Sequence, residues 1–344
     1  MKKLASIIIV NWNGKEYLKN CLTSLKDQDY ENIEIIFVDN NSNDGSIDYV
    51  KNNFPEVKVV SNKENLGFVG GNNVGYRYAA GEYVLILNND TQVTKTFLLE
   101  LVRALESDEK IGAVQSKILL MDNPGYLDSA GSYLTPTGFL YYFGIQKKDE
   151  PKYNKQMFIY SAKGACVLFR REVLKRVELE GNIFDKRFFC YFEETDLMHR
   201  IWLAGYKIMY VPKSVIYHKM GATSARIDNS FIQYHSFKNR INAHLKNLGI
   251  MQLVLVLPLH LLICEFFALA SLMSKNVKLF IAVQKAIWWN IGEIQTTLKF
   301  RKIIQNTIRK VSDKSIEKYI YKYPPLNYYY HIKDLSKYED YEQN

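Results

Sequence analysis

The stretch YVLILNNDTQV, residues 83–93, opens on an apolar run and stops in two amides and a carboxylate, Asn88-Asn89-Asp90. A run this apolar suits a strand buried on both faces, the pattern of a mostly parallel sheet covered by helices. The segments before it fit that reading. ASIIIVNW (5–12) is a β-branched strand, and YLKNCLTSLKDQ (17–28) spaces Leu18, Leu22 and Leu25 for a helix. IEIIFVDNNS (33–42) predicts a second strand, SIDYVKNNF (46–54) a short helix and VKVVSN (57–62) a third strand. NLGFVGGNNVGYRYAAG (65–81) is a glycine-rich stretch leading into a helix. Strands alternating with helices predict an α/β fold.

In such sheets ligands bind beyond the carboxyl ends of the strands. Three ends carry polar groups here: Asn11 and Asn13, then Asp39 and Ser42, then Asn88 and Asp90. The polar stop in the opening stretch therefore faces a cleft.

Residues 111–230 read differently. IGAVQSKILL (111–120) is a strand, and GYLDSAGSYLTPTGFLYYFG (125–144) is loop-rich and aromatic. SAKGACVLFRREVLKRV (161–177) predicts a strand and then a helix. Beyond it come an acidic helix stopped by Gly205 and an extended segment ending in His218. The 25 tyrosines suit carbohydrate faces and ordinary packing equally.

The composition, 47% hydrophobic and 24% charged over 344 residues, is that of a folded chain with room for one large domain or two. Cys21, Cys166, Cys190 and Cys264 lie far apart, which argues against a disulfide framework or zinc site and fits a reducing compartment. Cys166 reads as core, with no base partner beside it. The N-terminal MKKLASIIIVNWNG has too short an apolar stretch for a signal peptide and reads as the first strand.

Several residues carry two readings each. Asp90, flanked by Asn and Thr, is either a ligand for a hard cation or a turn and cap residue. Asp39 either accepts from a nucleotide base, with Ser42 nearby, or belongs to an Asx-rich turn. The glycine-rich stretch can bring backbone to a diphosphate, yet fits neither G-x-G-x-x-G nor a P-loop. Glu193, Glu194 and Asp196 crowd three carboxylates among aromatic residues. Like charge and desolvation raise a carboxylate toward the range of a general base. A helix N-terminus also favours acids, and Asp196 can pair with Arg200 one turn on. His218 is a metal or phosphate contact, or a packed residue.

In their order these segments resemble inverting glycosyltransferases of family 2, with the GT-A fold, and most of all the rhamnosyltransferase-like branch of bacterial surface polysaccharide synthesis. The matching stretches are SIIIVNWNG, IEIIFVDNNSNDGS, NLGFVGGNNVG, YVLILNNDT, GACVLFRREV, FFCYFEETDLMHRIWLAGYKIMYVP and IYHKMGATS, over roughly residues 4–225. The resemblance implies a nucleotide-sugar donor above the N-terminal sheet. Val10, Asn11, Asn13, Asp39 and Ser42 would hold base and ribose, with Asn65, Gly67, Asn73 and Asn88 lining the donor pocket. Asp90 matches the last acid of the family's Asp-x-Asp-type motif, and His218 a position near metal or diphosphate, which implies Mg²⁺ or Mn²⁺. Glu194, after Glu193, falls where the family places its catalytic base. Gly164, Ala165 and Asp196 would line the acceptor side. Two departures stand out: Asn88-Asn89-Asp90 keeps one carboxylate where others have two or three, and Glu194 stands where Asp is usual.

The first 230 residues form the expected catalytic domain, and 231–344 a basic helical region. That region holds 16 Lys and Arg against 8 Asp and Glu. IMQLVLVLPLHLLICEFFALASLM (250–273) is long enough to span a bilayer. Glu265 within it would cost roughly 2.5–3.5 kcal/mol at mid-bilayer. Basic residues flank both ends: Lys238, Arg240 and Lys246 before, Lys275, Lys278 and Lys285 after. That symmetry fits helices lying in the interface better than one span obeying the positive-inside rule. The expected location is the cytoplasmic face of the membrane, peripheral or monotopic, with a span at 250–273 left open. The acceptor is a glycan or a polyprenyl-diphosphate-linked sugar, the donor dTDP-rhamnose or a UDP-hexose. Nucleic acid is not an expected partner, because the charge interleaves with apolar sequence. A nucleotidyltransferase and an inactive sugar- or nucleic-acid-binding relative are the alternatives. The former lacks its usual glycine-rich basic loop and second metal carboxylate.

Overall fold

The structure is a computed structural model that describes residues 2–222, 227–325 and 328. The last residues of the IYHKMGATS stretch, Thr223 and Ser224, lie outside these. The N-terminal half alternates as the sequence predicts: β1 (Ala5–Asn11), α1 (Lys15–Lys26), β2 (Ile33–Asp39), α2 (Ser46–Asn53), β3 (Lys58–Ser61), α3 (Gly67–Tyr78) and β4 (Tyr83–Asn88). There follow β5 (Thr91–Val93), α4 (Phe97–Glu106), β6 (Ile111–Leu120), β7 (Leu127–Ser129), the hairpin β8 (Ser132–Leu134) and β9 (Leu140–Tyr142), and β10 (Met157–Phe158). Then come β11 (Cys166–Arg170), α5 (Arg171–Val177), α6 (Glu193–Leu203) and β12 (Lys207–His218).

The described strands form a ten-stranded sheet with the main order β10-β12-β6-β11-β4-β1-β2-β3. β3, β2, β1 and β4 run parallel, as do β6 and β12, and β11 is antiparallel between the two groups. This is the GT-A-like, mostly parallel arrangement. Both faces are covered: Ile8 and Ile86 point into one apolar core, Ile7, Ile9, Leu85 and Leu87 into the other, all buried. The run at 83–87 is thus uniformly apolar because each side of the strand meets a core.

The glycine-rich stretch is helix from Gly67 onward, not a phosphate-cradling loop. Its reason is packing: a Cβ at Gly75 would lie 2.4 Å from Ile8 Cγ2, so glycine lets α3 press against β1. Register aligns the polar strand ends, with Asn11 opposite Asp39 and Val10 opposite Asn88.

The C-terminal region is helical: α7 (Asn229–Asn247), α8 (Ile250–Met273), α9 (Val277–Gly292), α10 (Ile294–Ile303) and α11 (Asp313–Ile320). It shares a core with the sheet domain, since Ala243, Val256, Phe300, Ile304 and Ile316 join the cluster that holds Ile8 and Trp202. α8 is one apolar helix of 24 residues, long enough to cross a membrane. It packs inward through Val256, His260, Cys264, Ala268 and Ser271 and leaves Leu255, Leu259, Leu262, Phe266 and Leu269 exposed. Glu265 does not stand alone, because its Oε2 accepts from Gln284 Nε2 on α9 at 2.7 Å.

Candidate active site

The strand ends meet in a tight polar knot. Asn11 donates its Nδ2 to Asp39 Oδ1 at 3.0 Å and to Ser42 Oγ at 3.1 Å, and its Oδ1 accepts from Asn89 Nδ2 at 2.6 Å. Ser42 N donates to Asp39 Oδ2, and Asn13, in the left-handed region with φ 52°, donates its backbone N–H to Ser42 Oγ. Asp39 is fully buried, with each oxygen engaged, so it ties the end of β1 to the turn that follows β2. Val10 packs beneath this knot against α3. Asn65 Oδ1 accepts from Gly67 N at 2.9 Å. Gly67 has φ +68°, and a Cβ there would meet Phe189 O at 2.4 Å. The start of α3 thereby presses on the loop that leads to α6.

Asn73 does not enter the cleft. Its Oδ1 accepts from Phe184 N and its Nδ2 donates to Phe184 O, which fixes the loop before α6. Asp196 also serves structure: buried, it meets Arg200 at 3.2 Å and Lys246 of α7 at 3.2 Å, and accepts from Asn247. Ala165 accepts the backbone N–H of Asn88.

Asp90 and His218 are brought together by strand pairing. β5 runs antiparallel to β12 with Thr91 opposite His218, so Asp90 lies beside the imidazole. His218 Nε2 is 3.2 Å from Asp90 Oδ1 and 3.3 Å from Asn88 Nδ2. The alignment leaves Asp90 Oδ1 buried without a hydrogen bond. On the far side of the ring, Nδ1 is 2.6 Å from Asp128 Oδ2. Asp128 lies on β7 at a register shift against β6, a bulge that re-aims a side chain. Its other oxygen takes Lys163 Nζ at 2.5 Å. Burial opposes ionisation of Asp128, but Lys163 and His218 outweigh it and hold the carboxyl well below the ordinary range. For His218 burial lowers the pKa, and the Asp128 and Asp90 carboxylates more than offset that.

A histidine whose second ring nitrogen is held by a carboxylate is a common metal-ligand arrangement. The orphaned Asp90 oxygen and the Nε2 edge of His218 form such a pair, suited to a hard divalent cation that takes its other ligands from phosphates. Among the described residues no cluster of three or more His, Cys, Asp or Glu side chains adds a further ligand. Asp128 is not legible in the sequence, because it lies in a loop-rich aromatic segment, and Lys163, just before the GACVLFRREV stretch, carries no mark that sets it apart from other lysines.

Across the cleft, Glu193 and Glu194 open α6. Tyr191 and Phe192 before them both take positive φ, 68° and 72°, a conformation unusual for such residues. Asn239 of α7 holds that turn by donating to Cys190 O at 2.9 Å and Tyr191 O at 2.7 Å. Burial, with the neighbouring Glu194 charge, holds the Glu193 pKa far above the usual carboxylate range. Burial also raises Glu194, while its own helix-start N–H, Glu193, Lys163 and the Gly164 N–H partly counter this. Both carboxyls are thus pushed upward, Glu193 further than Glu194. One oxygen of each is buried without a hydrogen bond. Lys163 thus influences both halves of the site.

These features agree with what the chain is similar to. The model of glycosyl transferase family 2 matches residues 6–178, half of the chain. A glycosyltransferase of Haemophilus influenzae is 32% identical over 120 residues, covering 33% of this chain and 36% of that protein, so the match spans about a third of each. An N-acetylglucosaminyl-diphospho-decaprenol L-rhamnosyltransferase of Mycobacterium tuberculosis is 24% identical over 258 residues, 68% of this chain and 82% of that one. Among solved structures, mannosyltransferase PcManGT from Pyrobaculum calidifontis, in complex with GDP-Man and Mn²⁺, aligns with TM-score 0.54 at 17% identity, over 89% of this chain and 86% of that one. That last likeness is one of fold. With the family match resting on the segments that build the strand-end knot and the Asp90 turn, the chain belongs to glycosyl transferase family 2.

Proposed function

We propose that the protein is an inverting glycosyltransferase that moves a sugar from a nucleotide-diphosphate donor to a hydroxyl of a glycan or lipid-linked acceptor in cell-surface polysaccharide assembly. The donor is dTDP-rhamnose or a UDP-hexose. The observation that carries this reading is the pairing of an orphaned Asp90 oxygen with His218 on one side of the cleft and the adjacent carboxyls of buried Glu193 and half-buried Glu194 on the other. The rhamnosyltransferase relative supports the sugar, and the Mn²⁺-bound fold relative supports a divalent cation.

Asp90 and His218 would hold Mg²⁺ or Mn²⁺, and the polar knot at Asn11, Asn13 and Asn88 would orient the donor. The cation, when bound, stabilises the charge left on the nucleoside diphosphate as the anomeric bond breaks. Glu194 accepts the acceptor's hydroxyl proton as that oxygen attacks. Glu193 keeps its own proton and steadies the Glu194 carboxylate. One base and one displacement invert the anomeric centre. The apolar residues exposed on α8, with Trp288 and Ile291 of α9, would lie in an anionic membrane surface. Exposed Lys275, Lys278, Lys285, Lys299 and Lys302 around them supply the charge complement. Gln284 satisfies Glu265 within the helix pair, which makes shallow insertion cheaper.

With purified protein and a panel of dTDP-, UDP- and GDP-sugars, one donor should release nucleoside diphosphate slowly. EDTA should stop this, and Asp90→Ala should reduce it by about 100-fold or more. No release and no binding of any donor would refute the transferase reading.

The carboxyl pair sets the pH response. Glu194 acts only when deprotonated, so kcat/KM should rise with pH through a limb lying above the unperturbed carboxylate value of about 4.3. Glu194→Gln should lower transfer by about 10²–10⁴-fold. Glu193→Ala removes a donor that lowers the Glu194 pKa, so the limb should move to higher pH. A limb that stays put in Glu193→Ala contradicts the assignment of the two protons.

Membrane attachment is read by flotation. The protein should float with phosphatidylglycerol vesicles and partly detach in high salt, and Leu262→Asp with Phe266→Asp should leave it in the bottom fraction. Wild-type protein that never floats would remove the membrane from this account.

A further inference from the structure

The GACVLFRREV stretch carries two arginines that lie at the other end of the sheet from the cleft. β11 is antiparallel to β4, so its last residue, Arg170, stands opposite Tyr83, and Tyr83 stands opposite Ala5 of β1. A cavity of about 330 Å³ opens at these three neighbouring strand ends. Four cations line it, Lys3, Arg170, Arg171 and Lys175, with Glu82 and Glu172 as the carboxylates. Its size lies at the small end of ligand pockets, roughly 300–1,000 Å³.

The carboxylates leave most of that charge unpaired. Glu82 Oε2 accepts the backbone N–H of Leu4 at 2.9 Å, and Lys3 pairs with Glu106 at 3.6 Å. Among the described residues no carboxylate forms an ion pair with Arg170, Arg171 or Lys175. Arg170 is 8% exposed, and its Nε and Nη2 donate to the carbonyls of Ile111, Leu105 and Asp108 around the connection from α4 to β6. That edge accounts for a structural role. Nη1 has no acceptor among the described residues, on a side chain that lines the cavity. Arg171 repeats the pattern: its Nη1 donates to Ala79 O and Gly81 O, and its Nε and Nη2 have no acceptor among the described residues. Neutral side chains can make such carbonyl bonds, whereas a buried guanidinium without an anion carries a desolvation cost. Two guanidinium groups and an ammonium on one cavity, with N–H donors unspent, match the oxygens of a phosphate.

We propose that this cavity is a second anion site, apart from the cleft, that binds the phosphate group of a small molecule. Arg170, Arg171 and Lys175 take the phosphate oxygens. Glu172 and the second oxygen of Glu82 accept hydroxyls where the ligand carries them. The cavity lies at the amino ends of β1 and β4, and the cleft at their carboxyl ends, so a ligand here does not compete with the donor. The two share no residue, and the cavity's ligand is independent of the transferase reading.

The test is calorimetry on the full chain in detergent at low salt with EDTA, titrating inorganic phosphate, glucose 1-phosphate and glucose separately. Both phosphates should bind at one site per chain, and glucose should not bind. Arg171→Gln should weaken both phosphates by about tenfold or more. Lys175→Glu, on an exposed residue, should weaken them by about threefold or more, and carries the test alone should Arg171→Gln fail to fold. Asp90→Ala should leave both unchanged. Tighter binding of glucose 1-phosphate than of phosphate makes the ligand a phosphate ester, and equal binding makes it free phosphate. No binding of either phosphate, glucose bound as tightly as either, cavity variants that bind like wild type, or binding lost in Asp90→Ala would each overturn the proposal.

Discussion

The contact on which the site depends is the buried hydrogen bond between His218 and Asp128. It fixes the imidazole at the end of β12, turns its Nε2 edge toward Asp90, and is held in turn by Lys163 at 2.5 Å from the other Asp128 oxygen. Of the carboxylates beside the ring, Asp128 makes the shorter contact, 2.6 Å against 3.2 Å to Asp90, so it sets the ring's orientation. Without Lys163, a carboxylate as buried as Asp128 would carry a desolvation cost that one histidine offsets poorly. Lys163 also acts on Glu194, so the Asp128–His218 pair and the Glu193–Glu194 pair share one cation.

A second constraint comes from the C-terminal helices. α7 sends Asn239 to the strained turn before Glu193 and Lys246 to Asp196 just after Glu194. The carboxyl pair is thus gripped on both sides by a helix outside the alternating α/β half. Arg187 extends the grip to α10 through Thr297 at 3.1 Å. The helices that expose an apolar face are therefore joined by side-chain contacts to the segment that carries Glu193 and Glu194.

Much of this was legible in the sequence, and the reasons differ by element. The parallel half follows from uniform apolar runs, since a strand covered on both faces has no polar alternation to confuse it. Asp90, His218 and the Glu193–Glu194 pair stand out in the sequence because each ends or begins an apolar or aromatic element. Asn73 and Asp196 misled, because residues that lock a loop or an ion pair beside a site look like site residues. The glycines of α3 misled for a related reason: close helix packing and phosphate contact both require a missing Cβ. Asp128 was not legible at all, because a bulge in β7 aims it and a bulge leaves no periodic trace. Arg170 and Arg171 read only as part of a strand and the helix after it, and the cavity beside them is a property of the folded neighbourhood alone.

The central claim is that Asp90 and His218, oriented by Asp128, hold the cation that serves the donor. Anomalous X-ray scattering from crystals grown with Mn²⁺ and a nucleoside diphosphate measures this directly. The account predicts a single strong manganese peak within coordination distance of Asp90 and of His218 Nε2, and a peak moved away from His218 or lost in Asp128→Asn. A peak elsewhere, or one at Asp90 that is indifferent to the Asp128 substitution, would contradict it.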